Sequence, residues 1–174
     1  MTAKGVRKME YSLATDGDRH ALTLLWNQVF GDGAGFIHQC LNGFAGPGHV
    51  YVAREQGTLQ AQLLAVPCTI GGERGVYLYA LATRVSARGA GVMSGLLSFA
   101  EHDSRLKGAR FAALIPASPP LFGFYSPRGY WAATHLRPLT WASYGETTGQ
   151  VAFNTVTPED CLAMRRRYCP EGLV

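Results

Sequence analysis

The chain has 174 residues, of which 47% are hydrophobic and 16% charged, a balance that excludes wholesale disorder and suits one domain with a sizeable core. The net charge of +4 favours anionic ligands through the overall field without requiring nucleic acid. The 21 glycines are scattered without a G-X-Y period, which excludes collagen and poses the question of whether one cluster has a task.

Residues 6–14 alternate loosely and predict a first strand. Residues 16–30 carry apolar side chains at helical spacing, and Thr15 with Asp18 has the form of a capping box. Gly31, Gly33 and Gly35 break the chain before a shorter helix from Phe36 to Phe44. Strands are expected over 50–54 and 58–70, with a turn at 55–57 between them. Gly71-Gly72 is a two-residue hairpin signal. Residues 75–83 (GVYLYALAT) are apolar at both parities, which predicts a central strand covered on both faces.

A loop over 85–91 leads into the best helix of the chain, 92–107, where Val92, Met93, Leu96, Leu97 and Ala100 share one stripe and Gly108 ends it. Then follow a strand at 111–115, a short helix at 119–125, and strands at 130–134 and 136–141. Residues 142–156 are polar and turn-rich. Thr157-Pro158-Glu159-Asp160 then opens a last helix over 157–168. The order βααβββαβαββ predicts an α/β (α+β) domain with helices against a mixed sheet, over residues 1–141, and a C-terminal extension over 142–174.

Cys40, Cys68, Cys161 and Cys169 form no C-x-x-C pair, and the five histidines are dispersed, so neither disulfides nor a metal site is expected. Residues 1–10 lack the apolar core of a secretory leader, and no apolar run approaches the roughly 18 residues of a membrane span. The expected compartment is the cytoplasm. The run Arg165-Arg166-Arg167 suits a solvated helix end, so neither nucleic acid nor membrane is expected as a partner.

The chemistry concentrates in residues 81–94, LATRVSARGAGVMS. A buried strand enters a loop holding Arg88, Gly89 and Gly91, and an amphipathic helix follows. The first helical turn has unpaired N–H groups and a positive dipole end, and glycines let the backbone approach an anion closely. That is the construction of a diphosphate site. Taken alone, the loop is equally a glycine turn at a corner. A Walker A loop is excluded because no lysine follows, and a dinucleotide fingerprint would need glycine where Ser94 stands.

Arg88-Gly89-Ala90-Gly91-Val92-Met93 resembles the [RQ]-x-x-G-x-[GA] signature of the GNAT superfamily, the Gcn5-related N-acetyltransferases, departing only at Met93. The family's F-Y-x-x-x-G-[FY] motif is met in full by Phe124-Tyr125-Ser126-Pro127-Arg128-Gly129-Tyr130, while Ser118 stands where the family often has asparagine. The element order over 6–141 is similar too. The resemblance implies a GNAT-type mixed sheet and an acyltransferase using acetyl-CoA as cosubstrate, with no metal and with a small-molecule or peptide amine as acceptor.

It also implies roles for particular residues. Leu81, Ala82 and Thr83 would offer main-chain groups to pantetheine. Arg88, Gly89, Ala90, Gly91, Val92, Met93 and Ser94 would cradle the pyrophosphate. Tyr125 would be the general acid to the departing thiolate. A thiol pKa near 8.5 and a tyrosine pKa near 10 differ by about 1.5, so that transfer is uphill by only about 2 kcal/mol.

No acid stands in 77–83 to act as a base. Glu55, Glu73, His102 and His135 are not placed for the role by sequence, and none is assigned. Tyr77, Tyr79, Trp26, Phe30 and Trp131 are either core or an aromatic acceptor pocket. The missing base and the Met93 departure favour a rival reading, a non-catalytic acyl-CoA-binding module. Another nucleotide-binding protein is the third. The last helix has three places open to it: on its own domain, on a second subunit in a homodimer, or as the stub of a domain that relatives retain.

Overall fold

The computed structural model describes residues 8–45, 48–134 and 157–168. Two compact units result, the first running to Leu114 and the second beginning at Ile115.

The first unit contains a five-stranded mixed sheet in the order β1-β2-β3-β4-β5. Its strands are β1 (Met9–Leu13), β2 (Val50–Glu55), β3 (Thr58–Ile70), β4 (Glu73–Thr83) and β5 (Phe111–Ala113). The first four pair antiparallel, and β4 pairs with β5 in parallel. The expected mixed α/β architecture is therefore present.

Helices α1 (Arg19–Phe30) and α2 (Ala34–Gln39) cover one face. The capping box forms as expected: the Thr15 N–H and hydroxyl both donate to the Asp18 carboxylate, at 2.7 and 2.9 Å. The second helix is shorter than the sequence predicts. Its α-helical part ends at Gln39, and Cys40–Ala45 widens into a π-turn. Leu22, Leu25, Trp26, Ile37 and Cys40 pack there on Val50, Val52, Leu64, Ala80 and Ala82.

Helix α3 (Val92–Leu106) covers the other face and buries Val92, Leu96, Leu97 and Ala100 as its stripe requires. Gly95 makes this approach close. A Cβ there would overlap the Tyr11 hydroxyl, so only glycine lets α3 settle on β1. Tyr11 and Tyr51 both meet Phe99, with ring centroids at 6.3 and 6.1 Å. The Tyr51 hydroxyl donates to Asp103 at 2.6 Å, and Lys107 pairs with the same carboxylate at 2.7 Å.

In the second unit α4 (Phe122–Tyr125) lies between two 3-10 turns, Pro119–Leu121 and Ser126–Arg128. Helix α5 (Pro158–Tyr168) starts as predicted, with Thr157 and Asp160 in a second capping box.

Two expected strands need correction. β5 stops at Ala113, two residues short of the predicted end. Residues 130–134 form no strand; extended backbone needs a ladder partner, and among the described residues they have none. The strand expected over 136–141 and the boundary at residue 141 lie outside the described residues. No helix among the described residues is long and apolar enough to cross a membrane.

Candidate active site

Strand β4 builds the site. Its ladder with β5 runs only from Gly75↔Phe111 to Tyr77↔Ala113. Beyond Tyr77, β4 continues for six residues to Thr83 with no strand paired on that side among the described residues. An unpaired strand edge presents N–H and C=O groups to whatever extended group lies beside it. On its other side, β4 pairs with β3 through a register shift, Gln62↔Ala82 followed by Leu64↔Tyr79. Three residues of β4 thus span two of β3, a bulge centred on Ala80 and Leu81. Ala80 takes a left-handed φ of 50°, costly for a residue with a side chain.

The bulge turns the free edge. It also brings Tyr79 and Ala80 to the same α1/α2 face, since Tyr79 meets Trp26 and Ala80 lies in the core beneath it. Cover is incomplete here. Tyr77, Tyr79 and Leu81 are only half-buried, where the sequence predicts both faces covered, and past Tyr77 β4 has β3 on one side but no β5 pairing on the other.

The strand end is braced. The Arg84 Nε donates to the Leu59 carbonyl at 2.5 Å and the Arg84 N–H to the Gln60 carbonyl at 2.8 Å. A 3-10 turn, Val85–Ala87, carries the chain to Arg88, whose Nε donates back to the Thr83 carbonyl at 3.3 Å. Gly89 and Gly91 then adopt φ of 75° and 77°, in the left-handed region that glycine enters without strain. Gly91 is the N-cap of α3 and supplies no side chain to it; the N–H of Gly95 closes on its carbonyl at 3.0 Å. Arg88, Gly89, Ala90 and Gly91 are exposed, whereas Val92 is buried and Met93 and Ser94 half-buried.

This donor set suits an anion. Consecutive backbone amides meet a helix N-terminus and an arginine, and residues 84–94 contain no acid. One detail differs from expectation: the Thr83 carbonyl is taken by Arg88 rather than offered outward.

Tyr125 lies in the second unit. It is buried at the end of α4, with ring centroids 5.0 Å from Phe124 and 5.6 Å from Tyr130, both edge-on. Gly129, at φ 88°, turns the chain so that the Tyr130 N–H reaches the Tyr125 carbonyl at 3.4 Å. The F-Y-x-x-x-G-Y spacing thus holds the phenol through a turn and a ring contact. Burial pushes the Tyr125 phenol above its ordinary value, so at neutral pH it keeps its proton and acts as a hydrogen-bond donor.

The aromatic residues divide. Trp26 meets Phe30 and Tyr79, at 6.3 and 5.8 Å, and Tyr79 stacks on Tyr77 at 6.3 Å. Phe36, not singled out by the sequence, joins Trp26 at 6.5 Å. Trp131 lies in the second unit and is 82% exposed. Asp32 was also missed. Its carboxylate accepts the Trp26 indole N–H at 2.8 Å. Burial raises the Tyr79 phenol, with Cys40, Asp32 and Tyr77 adding to the shift. The signal was an acid between two glycines, six residues after a tryptophan. Glu73 and His102 are exposed, Glu55 is the last residue of β2, and His135 lies outside the described residues. No group of three or more metal-capable side chains occurs among the described residues.

A family model for the acetyltransferase (GNAT) domain matches residues 10–133, which span the free β4 edge, the glycine loop and Tyr125. The chain belongs to the GNAT acetyltransferase family. Solved structures share the fold at low identity. A transcriptional regulator from Bacillus halodurans C-125 is 17% identical with a TM-score of 0.64, covering 77% of this chain and 100% of its own. An acetyltransferase from Trypanosoma brucei is 20% identical with a TM-score of 0.60, covering 77% and 100%. A GNAT family acetyltransferase from Brucella melitensis, in complex with acetyl-CoA, is 18% identical with a TM-score of 0.59, covering 80% and 97%. Among curated proteins, none matches the sequence. Membership of this GNAT family makes the chain an acyltransferase by kind.

Proposed function

We propose that the protein is a cytoplasmic N-acetyltransferase that moves the acetyl group of acetyl-CoA to an amine by direct attack. The observation that carries this reading is the free β4 edge leading, through Gly89 and Gly91, onto an N-terminus of α3 without a side-chain cap. In this reading the pyrophosphate rests on the amides of Gly89, Ala90, Gly91, Val92, Met93 and Ser94, with Arg88 beside them. Pantetheine lies along Leu81 and Ala82, an extended polar chain against an unpaired strand edge. The Brucella relative's complex with acetyl-CoA supports this choice of cosubstrate.

The neutral amine attacks the thioester carbonyl carbon to form the C–N bond, the C–S bond breaks to release CoA thiolate, and the nitrogen loses a proton to water. Tyr125 donates a hydrogen bond that tightens as negative charge collects on sulfur. Because its phenol is raised by burial, full proton transfer is more uphill than for a free tyrosine. Its help is then a hydrogen bond to the forming thiolate. Free thiols at Cys40, Cys68 and Cys161 suit a reducing compartment.

Incubation with acetyl-CoA and a panel of amines, reading released thiol, tests the reading. Tyr125→Phe should lower kcat by about 10²–10⁴-fold while acetyl-CoA still raises the melting temperature. Stabilisation by acetyl-CoA without thiol release from any amine would identify a non-catalytic binding module instead.

A further inference from the structure

The α1–α2 turn is built to hold one carboxylate against aromatic rings. Gly31 closes α1, its N–H bonded to the Asn27 carbonyl at 2.7 Å. The Asn27 side-chain amide donates to the Asp32 carbonyl at 2.9 Å, and the Trp26 indole holds the Asp32 carboxylate at 2.8 Å. Gly33 then starts α2, its carbonyl accepting the Ile37 N–H at 3.1 Å. A loop acid on the surface ordinarily swings in water. Asp32 is instead half-buried and fixed at both backbone and side chain.

Around it, Trp26 is 1% exposed, yet Phe30 and Phe36, which meet it edge-on, are 44% and 43% exposed. Tyr79 continues the cluster onto β4, one residue before the bulge, at the stretch where β4 has lost its β5 neighbour. A fixed anion among partly exposed rings complements a cation with an apolar body. The carboxylate takes the charge and the rings take both the cation and the carbon skeleton.

We propose that Asp32, held in place by the buried Trp26, forms the acceptor subsite with Phe30, Phe36 and Tyr79, and that it selects a primary amine borne on an aromatic group and lacking a carboxylate of its own. The inference rests on the acetyltransferase reading, since it names the substrate class of that reaction. An α-amino acid is disfavoured because its carboxylate would stand beside Asp32. Asp32 binds and orients the ammonium group; loss of that group's proton to water frees the nitrogen lone pair for attack.

Phenethylamine and phenylalanine differ only by a carboxylate and make the test. Wild-type protein should bind and acetylate phenethylamine in preference to phenylalanine, read by calorimetry and by thiol release. Asp32→Asn keeps an oxygen to accept the Trp26 indole and removes the charge. It should raise KM for phenethylamine about tenfold, leave KM for acetyl-CoA unchanged, and collapse the preference over phenylalanine. Phe36→Ala, an exposed position, should weaken phenethylamine more than butylamine.

An unchanged preference in Asp32→Asn, or thiol release from other amines with phenethylamine inert, would overturn the inference and leave the acetyltransferase reading standing. Absence of both stabilisation by acetyl-CoA and thiol release from any amine would overturn that reading. Calorimetric binding of phenethylamine that depends on Asp32 would still support the subsite.

Discussion

The two faces of the sheet are packed by different means. On the α3 face the deep polar groups are matched: the Tyr51 hydroxyl meets Asp103 at 2.6 Å, and Lys107 reaches the same carboxylate at 2.7 Å. There α3 comes close enough that Gly95 admits the Tyr11 hydroxyl and nothing larger. On the α1/α2 face, rings meet Trp26 edge to face at centroid distances of 5.8 to 6.5 Å. Gln62 is fully buried with neither end of its amide bonded, and the cluster reaches the surface at Phe30 and Phe36. Tight, paired packing stands beneath the helix that follows the glycine loop. Looser aromatic packing stands where an acceptor has to be distinguished. Interiors at high density transmit strain, so the first face should tolerate change far less than the second.

The largest effect expected from this contrast is on glycine. Gly95→Ala forces a methyl into the Tyr11 hydroxyl and should cost about 1–3 kcal/mol in urea unfolding. Gly35→Ala, in α2 with nothing within 4 Å of the new methyl, should be neutral or gain up to about 1 kcal/mol. Equal stabilities for the two variants would break the comparison.

Gly91→Val comes next. A β-branched residue at φ 77° costs about 1–2 kcal/mol of backbone strain, at the junction that presents the α3 amides. Acetyl-CoA affinity, followed by thermal shift, should fall about tenfold, through several amide contacts of roughly 0.3–1 kcal/mol each. Phenethylamine affinity should hold, because Asp32 and its rings belong to the other face. Loss of both together would mean that the faces are not independent.

These differences also explain what could be read from the chain alone. The capping box at Thr15, the helix start at Thr157, the hairpin at Gly71-Gly72, the stripe of α3 and the Arg88–Gly91 loop are local patterns, and each appears where the sequence places it. The Ala80 bulge was not legible, since all of residues 75–83 except Thr83 are apolar or glycine and a left-handed alanine leaves no mark there. Asp32 was not legible as a site residue, because its meaning depends on Tyr79, distant in the chain and brought near by the sheet. Residues 130–134 have strand composition, but composition does not supply a ladder partner. Tyr125 carries its neighbours Gly129 and Tyr130 in sequence, so its ring contact and turn were foreseeable.

Gln62 offers a smaller test of the α1/α2 face. A buried amide without partners costs free energy, and methionine has nearly its shape without the polar ends. Gln62→Met should therefore raise stability by about 1 kcal/mol in urea unfolding. A loss of stability would show that the amide has a partner and that this face is as fully matched as the other. If stability rises while KM for phenethylamine also rises, the amide takes part in shaping the acceptor site.

The smallest effect concerns the paired network on the α3 face. The Lys107 ammonium and then the Tyr51 hydroxyl hold the Asp103 carboxyl below its ordinary value. A group whose folded pKa is depressed contributes stability that is fully present above its unfolded pKa, near 3.9, and is lost as pH falls through the folded value. Asp103 and Lys107 are both partly exposed, so solvent screening keeps the contribution below about 1 kcal/mol. Asp103→Asn should accordingly be less stable than the parent at pH 7. The gap should narrow below about pH 4 as the wild-type carboxyl takes its proton. Urea midpoints across that range decide the matter. A gap independent of pH would assign Asp103 to shape rather than charge.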